Sequence, residues 1–188
     1  ILFFNKIDLY SKKLIIQNQN LMREYSKIGY RCISLSALND NINEVKSIVE
    51  NKNNLISGHS GVGKSTLINK LLGTADISTN EISQRHDQGQ HTTTFSELYR
   101  LDFGGTIIDT PGIKGFGLVN IDVDNLSDYF PEFLILKQGC KFNNCKHINE
   151  PNCKVKEALE KGQISKDRYS NYLSMLETEE SIYRTNNY

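Results

Sequence analysis

Several groups of residues in this 188-residue chain have types and spacings that can do chemistry. One is the run Gly58-His59-Ser60-Gly61-Val62-Gly63-Lys64-Ser65, followed by Thr66. Glycines let main-chain N–H groups curl around phosphate oxygens without Cβ clashes. A helix starting at the end of the run adds partial positive charge. Lys64 can reach terminal phosphates, the Ser65 hydroxyl can ligate Mg²⁺, and Thr66 completes the phosphate-facing set. A second group is Asn5-Lys6-Ile7-Asp8, which follows an apolar run. The Asp8 carboxylate can accept both the ring imino proton and the exocyclic amine of guanine, a pairing adenine cannot offer. Buried polar groups of this kind reject a base that leaves them unpaired. Asn5 can bridge loop and base, and the Lys6 stem can cover the ring face. Ser34-Leu35-Ser36-Ala37 ends the next apolar run, where a main-chain N–H at Ser36 or Ala37 could meet the keto oxygen.

Two further segments fit the same chemistry. Asp109-Thr110-Pro111-Gly112 ends a strand-like run, so Asp109 can hold Mg²⁺ through water and the Gly112 N–H can sense a γ-phosphate. Gly89-Gln90-His91-Thr92-Thr93-Thr94 closes a long polar stretch. One threonine there, Thr93 with Thr92 as the alternative, is expected to complete the Mg²⁺ shell. Ile113 stands where ordinary GTPases place a water-orienting glutamine. His91 is either the replacement that orients water or a solvated loop histidine.

The last group is metal-binding. Cys140, Cys145, His147 and Cys153 lie within 14 residues, and three thiolates with one imidazole make a closed tetrahedral set suited to one structural Zn²⁺. The remaining cysteine, Cys32, reads as a small hydrophobe on a core strand. Residues 137–156 hold five lysines, at 137, 141, 146, 154 and 156, against one acid, Glu150. That stretch is either a solvated face or an RNA-phosphate contact.

These groups need elements to position them. The pattern predicts strands over Ile1–Phe4, Arg31–Leu35 and Asn54–Ser57, and helices over Ser11–Ile28, Asn41–Val49 and Lys64–Leu72. Strand, glycine loop and helix in succession belong to an α/β fold with a mainly parallel sheet and helices on both faces. Phe95–Leu101 and Thr106–Ile108 read as a hairpin turning at Asp102–Gly105. Beyond residue 120 the texture changes. Val123–Phe130 leads into the cysteine-rich stretch, then helices follow over Val155–Glu160 and Lys166–Tyr183. The expected organisation is a nucleotide domain over 1–122 and a small zinc-binding helical domain over 123–188. Ile1-Leu2-Phe3-Phe4 looks like a buried strand entered abruptly, so the natural start is expected upstream.

Composition excludes other classes. Net charge is zero, with 22 basic and 22 acidic residues, so nucleic-acid contact must come from a local patch. Hydrophobic residues make up 38%, an ordinary globular mix, and no apolar stretch is long enough to span a membrane.

The motifs resemble those of GTPases in permuted order, with Asn-Lys-x-Asp and Ser-Ala ahead of the phosphate loop. Taken with Gly58–Asn69, His91–Thr94, Tyr129-Phe130-Pro131-Glu132, Cys140–Cys153 with Glu150-Pro151, and Arg168-Tyr169, the chain resembles the RsgA or YjeQ family. These are circularly permuted GTPases dependent on the small ribosomal subunit. Gln90 departs from the family pattern, which has a basic residue there. The resemblance implies GTP/GDP, Mg²⁺ and one Zn²⁺ as cofactors. It also implies GTP hydrolysis stimulated by the small subunit and its rRNA, late subunit maturation, a monomer, and the bacterial cytoplasm. It further implies an N-terminal OB-fold domain and a first part of the GTPase sheet, neither present in these residues. A P-loop ATPase and a nucleotide-dependent zinc RNA-binding module with weak hydrolysis are the rival readings.

Overall fold

The computed structural model describes residues 1–73, 96–110 and 122–185, with side chains to Glu177. The chain divides into two compact units, Ile1–Phe116 and Gly117–Tyr188.

In the first unit, β1 (Leu2–Phe4) leads through a 3₁₀ turn (Ile7–Leu9) to α1 (Lys12–Lys27). Ser11 caps α1, its hydroxyl accepting the Leu14 N–H at 3.3 Å, which satisfies one orphan donor of the first turn. Next come β2 (Cys32–Ser34), α2 (Asn43–Val49), β3 (Asn53–Ile56) and α3 (Lys64–Leu72), which ends at Gly73 in the left-handed region. Finally β4 (Glu97–Arg100) and β5 (Thr106–Asp109) form the expected hairpin.

β1 pairs with β2 in parallel, and β3 with β5 in parallel, so both crossovers match the expected α/β grammar. β4 lies antiparallel on β5. Among the described residues these strands form two sheets, β1-β2 and β3-β5-β4, rather than one. One apolar core nevertheless spans both, joining Ile33 and Leu35, Val45 and Val49 of α2, Leu67, Ile68 and Leu71 of α3, and Ile107 of β5. Ile68 and Ile107 are fully buried. Each such side chain contributes roughly 1.5–3 kcal/mol relative to leaving it in water.

One expectation is corrected. β1 is half-buried, not buried, and Ile1 is exposed. α1 has the helical apolar period but buries no residue, and Ile16 is 60% exposed.

In the second unit, a 3₁₀ segment (Val123–Tyr129) runs into α4 (Pro131–Lys137), then α5 (Lys154–Glu160) and α6 (Lys166–Thr185). The sequence reading missed α4. Leu134 and Ile135 face water, so its four consecutive apolar residues show no helical stripe. The overlooked signal was Pro131 at the first helical position with Glu132 behind it. Phe133 of α4 and Tyr172 of α6 centre the core, edge to face with ring centroids 5.2 Å apart. Arg168 spans α6 to α4. Its guanidinium donates to both carboxylate oxygens of Glu132, at 2.7 and 3.2 Å, and lies 4.6 Å over the Phe130 ring.

Candidate functional site

The phosphate-type loop occupies the turn between β3 and α3, as its sequence requires. Gly63 stands at φ +94°, and a Cβ there would lie 2.3 Å from the Asn5 side-chain nitrogen. Glycine is therefore obligatory on two counts, backbone conformation and space. Lys64 folds over the loop, its ammonium donating to the carbonyls of Gly58 at 2.8 Å and His59 at 3.3 Å. Ser65 and Thr66 begin α3 and are half-buried, while His59 and Ser60 are exposed.

Asn5-Lys6-Ile7-Asp8 leaves the end of β1 and meets this loop. Asn5 Nδ2 donates to the Val62 carbonyl at 2.8 Å, and the Lys6 ammonium donates to the Gly61 carbonyl at 2.6 Å. Lys6 itself adopts a left-handed conformation, φ +65°. Asn5 Oδ1 accepts the Ala37 N–H at 2.8 Å. One asparagine thus joins its own segment to two others, 32 and 57 residues further along the chain. Asp8 is exposed in the 3₁₀ turn. Ser36 and Ala37 are buried, and the Ser36 N–H donates to Asp40 at 2.6 Å. A groove of about 820 Å³ lies between β1 and β3, lined also by Asn5, Lys6, Ser60, Gly61, Gly63 and Lys64. Its size lies in the range of small-molecule sites.

Asp109 ends β5, paired in register with Ile56 at the entrance to the glycine loop. Its Oδ1 is buried, with no hydrogen-bond partner among the described residues. Burial is the main cause that raises its pKa; nearby Lys64 opposes the rise and Glu97, its cross-strand neighbour, adds to it. A carboxylate oxygen left without a partner, with the Lys64 charge close by, fits a hydrated Mg²⁺. Thr110 donates from both its N–H and its hydroxyl to the Ile56 carbonyl, fixing where β5 ends. His91, Thr92, Thr93, Gly112 and Ile113 lie outside the described residues.

In the second unit the four expected ligands converge. The three Sγ atoms and a His147 ring nitrogen all lie within 4.8 Å of one another. His147 Nδ1 is 3.3 Å from Cys153 Sγ and 3.8 Å from Cys140 Sγ. Tetrahedral Zn²⁺ with bonds of about 2.0–2.3 Å needs ligand atoms about 3.5–3.8 Å apart, so the donor set fits. Burial pushes the Cys145 thiol up to about 12 and lowers His147, which keeps the imidazole neutral. Metal uptake here must expel protons from the thiols.

Sequence reasoning missed what holds this loop. The Glu150 carboxylate accepts the N–H groups of Lys146, Ile148 and Asn149 at 2.7, 2.8 and 3.0 Å. The hydroxyls of Tyr172 and Tyr169 donate to the carbonyls of Lys146 and His147 at 2.7 and 2.6 Å. His147, at φ +58°, is thereby locked in an uncommon conformation from both sides. The lysine excess is also corrected. Lys137, Lys146 and Lys154 are ion-paired with Asp128, Asp124 and Glu157. Of the five, only Lys141 and Lys156 lie outside ion pairs among the described residues. The sequence count ignored acids that folding brings alongside.

A parallel α/β unit with a glycine loop, and with Asn-Lys-x-Asp placed earlier in the chain yet bonded to that loop, has the architecture of a circularly permuted GTPase. Solved structures agree. The structure titled YloQ, a circularly permuted GTPase, is 25% identical, covers 96% of this chain and 57% of its own, and superposes with a TM-score of 0.75. YjeQ from Thermotoga maritima is 34% identical, covering 94% of this chain and 58% of its own, also with a TM-score of 0.75. The RsgA GTPase family model matches residues 1–119. This chain belongs to the RsgA GTPase family. Two curated relatives carry the description small ribosomal subunit biogenesis GTPase RsgA. That of Christiangramia forsetii is 50% identical over all of this chain, and that of Flavobacterium psychrophilum is 51% identical over the same extent. The chain spans 60% and 58% of their lengths.

Proposed function

We propose that this chain binds guanine nucleotides with Mg²⁺ and hydrolyses GTP in the service of small ribosomal subunit maturation. The observation that carries this reading is the stitching of Asn5 and Lys6 to Val62 and Gly61. It makes a base-reading segment and a phosphate-reading loop into one site. The relatives' description as small ribosomal subunit biogenesis GTPases supplies the biological setting.

In this reading Asp8 accepts the two guanine N–H groups and the Lys6 stem covers the ring. Ser36 and Ala37 form the wall facing the keto oxygen. The Ala37 N–H must leave Asn5 to donate there, because in this structure Asn5 holds it. The N–H groups of residues 58–66 surround the phosphates. The Lys64 ammonium moves from the carbonyls of Gly58 and His59 onto the β- and γ-oxygens. Ser65, Thr93 and Asp109 would hold Mg²⁺, which when bound would neutralise phosphate charge. Gly112 senses the γ-phosphate, and His91 orients the attacking water in place of the glutamine that Ile113 displaces. Cys140, Cys145, His147 and Cys153 would hold a structural Zn²⁺, which would cross-link the second unit. Of the five lysines over 137–156, Lys141 and Lys156 remain for rRNA phosphates. The protein acts as a monomer in the bacterial cytoplasm; among the described residues no helix is long and apolar enough to cross a membrane.

Steady-state turnover of GTP, ATP and XTP, with and without small ribosomal subunits, tests the proposal. GTP is expected to be preferred and its turnover to rise with subunits. Asp8→Asn is expected to move the preference toward XTP, by at least about a hundredfold in the ratio. A preference for ATP that Asp8→Asn leaves untouched overturns the guanine reading. Background turnover that subunits do not raise favours the second reading, an idle nucleotide-bound module, which Ile113 supports.

A further inference from the structure

The loop after β2 is held by two residues that belong to none of the nucleotide motifs. Asp40 Oδ2 accepts the Ser36 N–H at 2.6 Å, and the Asp40 N–H donates back to the Ser36 carbonyl at 2.9 Å. The Asn39 N–H donates to the Ser36 hydroxyl at 3.2 Å. Residues 36–40 are therefore a closed turn organised around one carboxylate. Lys70 bonds this turn from outside. Its ammonium donates to the carbonyls of Leu38, at 3.1 Å, and of Asp40.

Lys70 lies on α3, the helix that Lys64 opens. The two are six residues apart, about 9 Å along a rigid rod. The turn is thus bonded to the phosphate-binding segment from two sides. Asn5 links the Ala37 N–H to the Val62 carbonyl, and Lys70 links Leu38 and Asp40 to α3. Once the Ala37 N–H leaves Asn5 for the base, a nucleotide that touches both the turn and the glycine loop must match the separation that the Lys70 bonds keep.

We infer that Asp40 and Lys70 are positioning residues for base selection, holding the Ser36–Leu38 backbone at the distance from the phosphate loop where it discriminates a keto from an amino group at purine position 6. This rests on the guanine reading above. Neither side chain touches the base. Asp40 shapes the turn and Lys70 sets its distance. Charge-assisted bonds to main-chain carbonyls are stronger than neutral ones, which suits a spacer that must not creep.

The test compares binding of three diphosphates to the 188-residue chain by calorimetry: GDP, IDP, and the 2,6-diaminopurine analogue of GDP. The analogue keeps the exocyclic amine read by Asp8 but replaces the keto oxygen with an amine and loses the ring N1–H, a loss common to every variant compared. IDP keeps the keto oxygen and lacks that amine. Lys70→Met and Asp40→Asn are each expected to cut the preference for GDP over the diaminopurine analogue about tenfold, the equivalent of one ordinary hydrogen bond. The GDP-to-IDP ratio is expected to stay unchanged, and Lys70→Arg to restore most of the loss. A general loosening of the fold would weaken all three ligands together and overturn the inference. So would unchanged ratios in folded Lys70→Met and Asp40→Asn proteins. Failure of the underlying guanine reading looks different: the unsubstituted chain would then show no preference for GDP over ADP.

Discussion

In the first unit the cations nearest the groove, Lys6 and Lys64, rest on carbonyl oxygens of the glycine loop. In the second, His147, Cys145 and Cys153 are buried, and the nearby charge of Glu150 is satisfied by main-chain N–H groups. The first arrangement can be undone without unfolding. A phosphate offers Lys64 a better partner than the carbonyls it already has, and the loop stays where β3 and α3 put it. The second cannot, because removing a partner leaves an uncompensated polar group inside a core. One region is built to trade ligands and the other to keep one.

Metal removal gives the comparison its hardest test. Chelation, or Cys153→Ser, is expected to abolish the melting transition of the second unit, a loss of several kcal/mol or more. GDP binding by the first unit is expected to survive. Far-UV circular dichroism and GDP titration on the same sample read both, and a second unit that keeps its transition without metal breaks the contrast. Next in size is Gly63→Ala, expected to weaken GDP about a hundredfold, or about 2.7 kcal/mol, by calorimetry. The added methyl must displace Asn5 and the backbone must hold φ +94°. Melting of the second unit is expected not to move.

Glu150→Gln sharpens the comparison more gently. Metal affinity is expected to fall about 10–100-fold in competition with a chromophoric chelator, the range for groups that orient ligands. The substitution also changes an acid limb. Burial alone would raise the Glu150 pKa, but its own N–H and those of Lys146, Ile148 and Asn149 hold it below the usual 4.5. An acid held low in the folded state stabilises it above the unfolded value, and that stability disappears as pH falls through the folded value. Stability of the second unit is therefore expected to decline below about pH 4.5. In Glu150→Gln that decline is expected to flatten in acid-titration melts.

Sequence showed the first unit more fully than the second, for a physical reason. Phosphate binding requires a contiguous glycine run between a strand and a helix, so Gly58–Ser65 announced both the site and the elements flanking it. The zinc-type ligands were equally visible, because thiols in that spacing have few other uses. What escaped were relations that exist only after folding. Glu150 was counted as a lone acid among lysines, whereas its role lies in the N–H groups around it. α4 hid because a short helix with exposed Leu134 and Ile135 lacks a periodic stripe. Lys70 was read as one more residue of the helix after the glycine loop, since nothing in its neighbours in sequence points to Leu38 and Asp40. Strand spacing also does not show which edges meet, and among the described residues the mainly parallel strands fall into two sheets.

The register between β3 and β5 has an evolutionary corollary. Asp109 sits opposite Ile56, and Ile107, two positions earlier on the same face, is fully buried. Adding or deleting one codon within Thr106–Asp109 would flip the parity of every side chain downstream, sending the carboxylate to the wrong face and a core isoleucine into water. Length variation among homologues should therefore avoid these four positions, however freely the connections on either side grow or shrink.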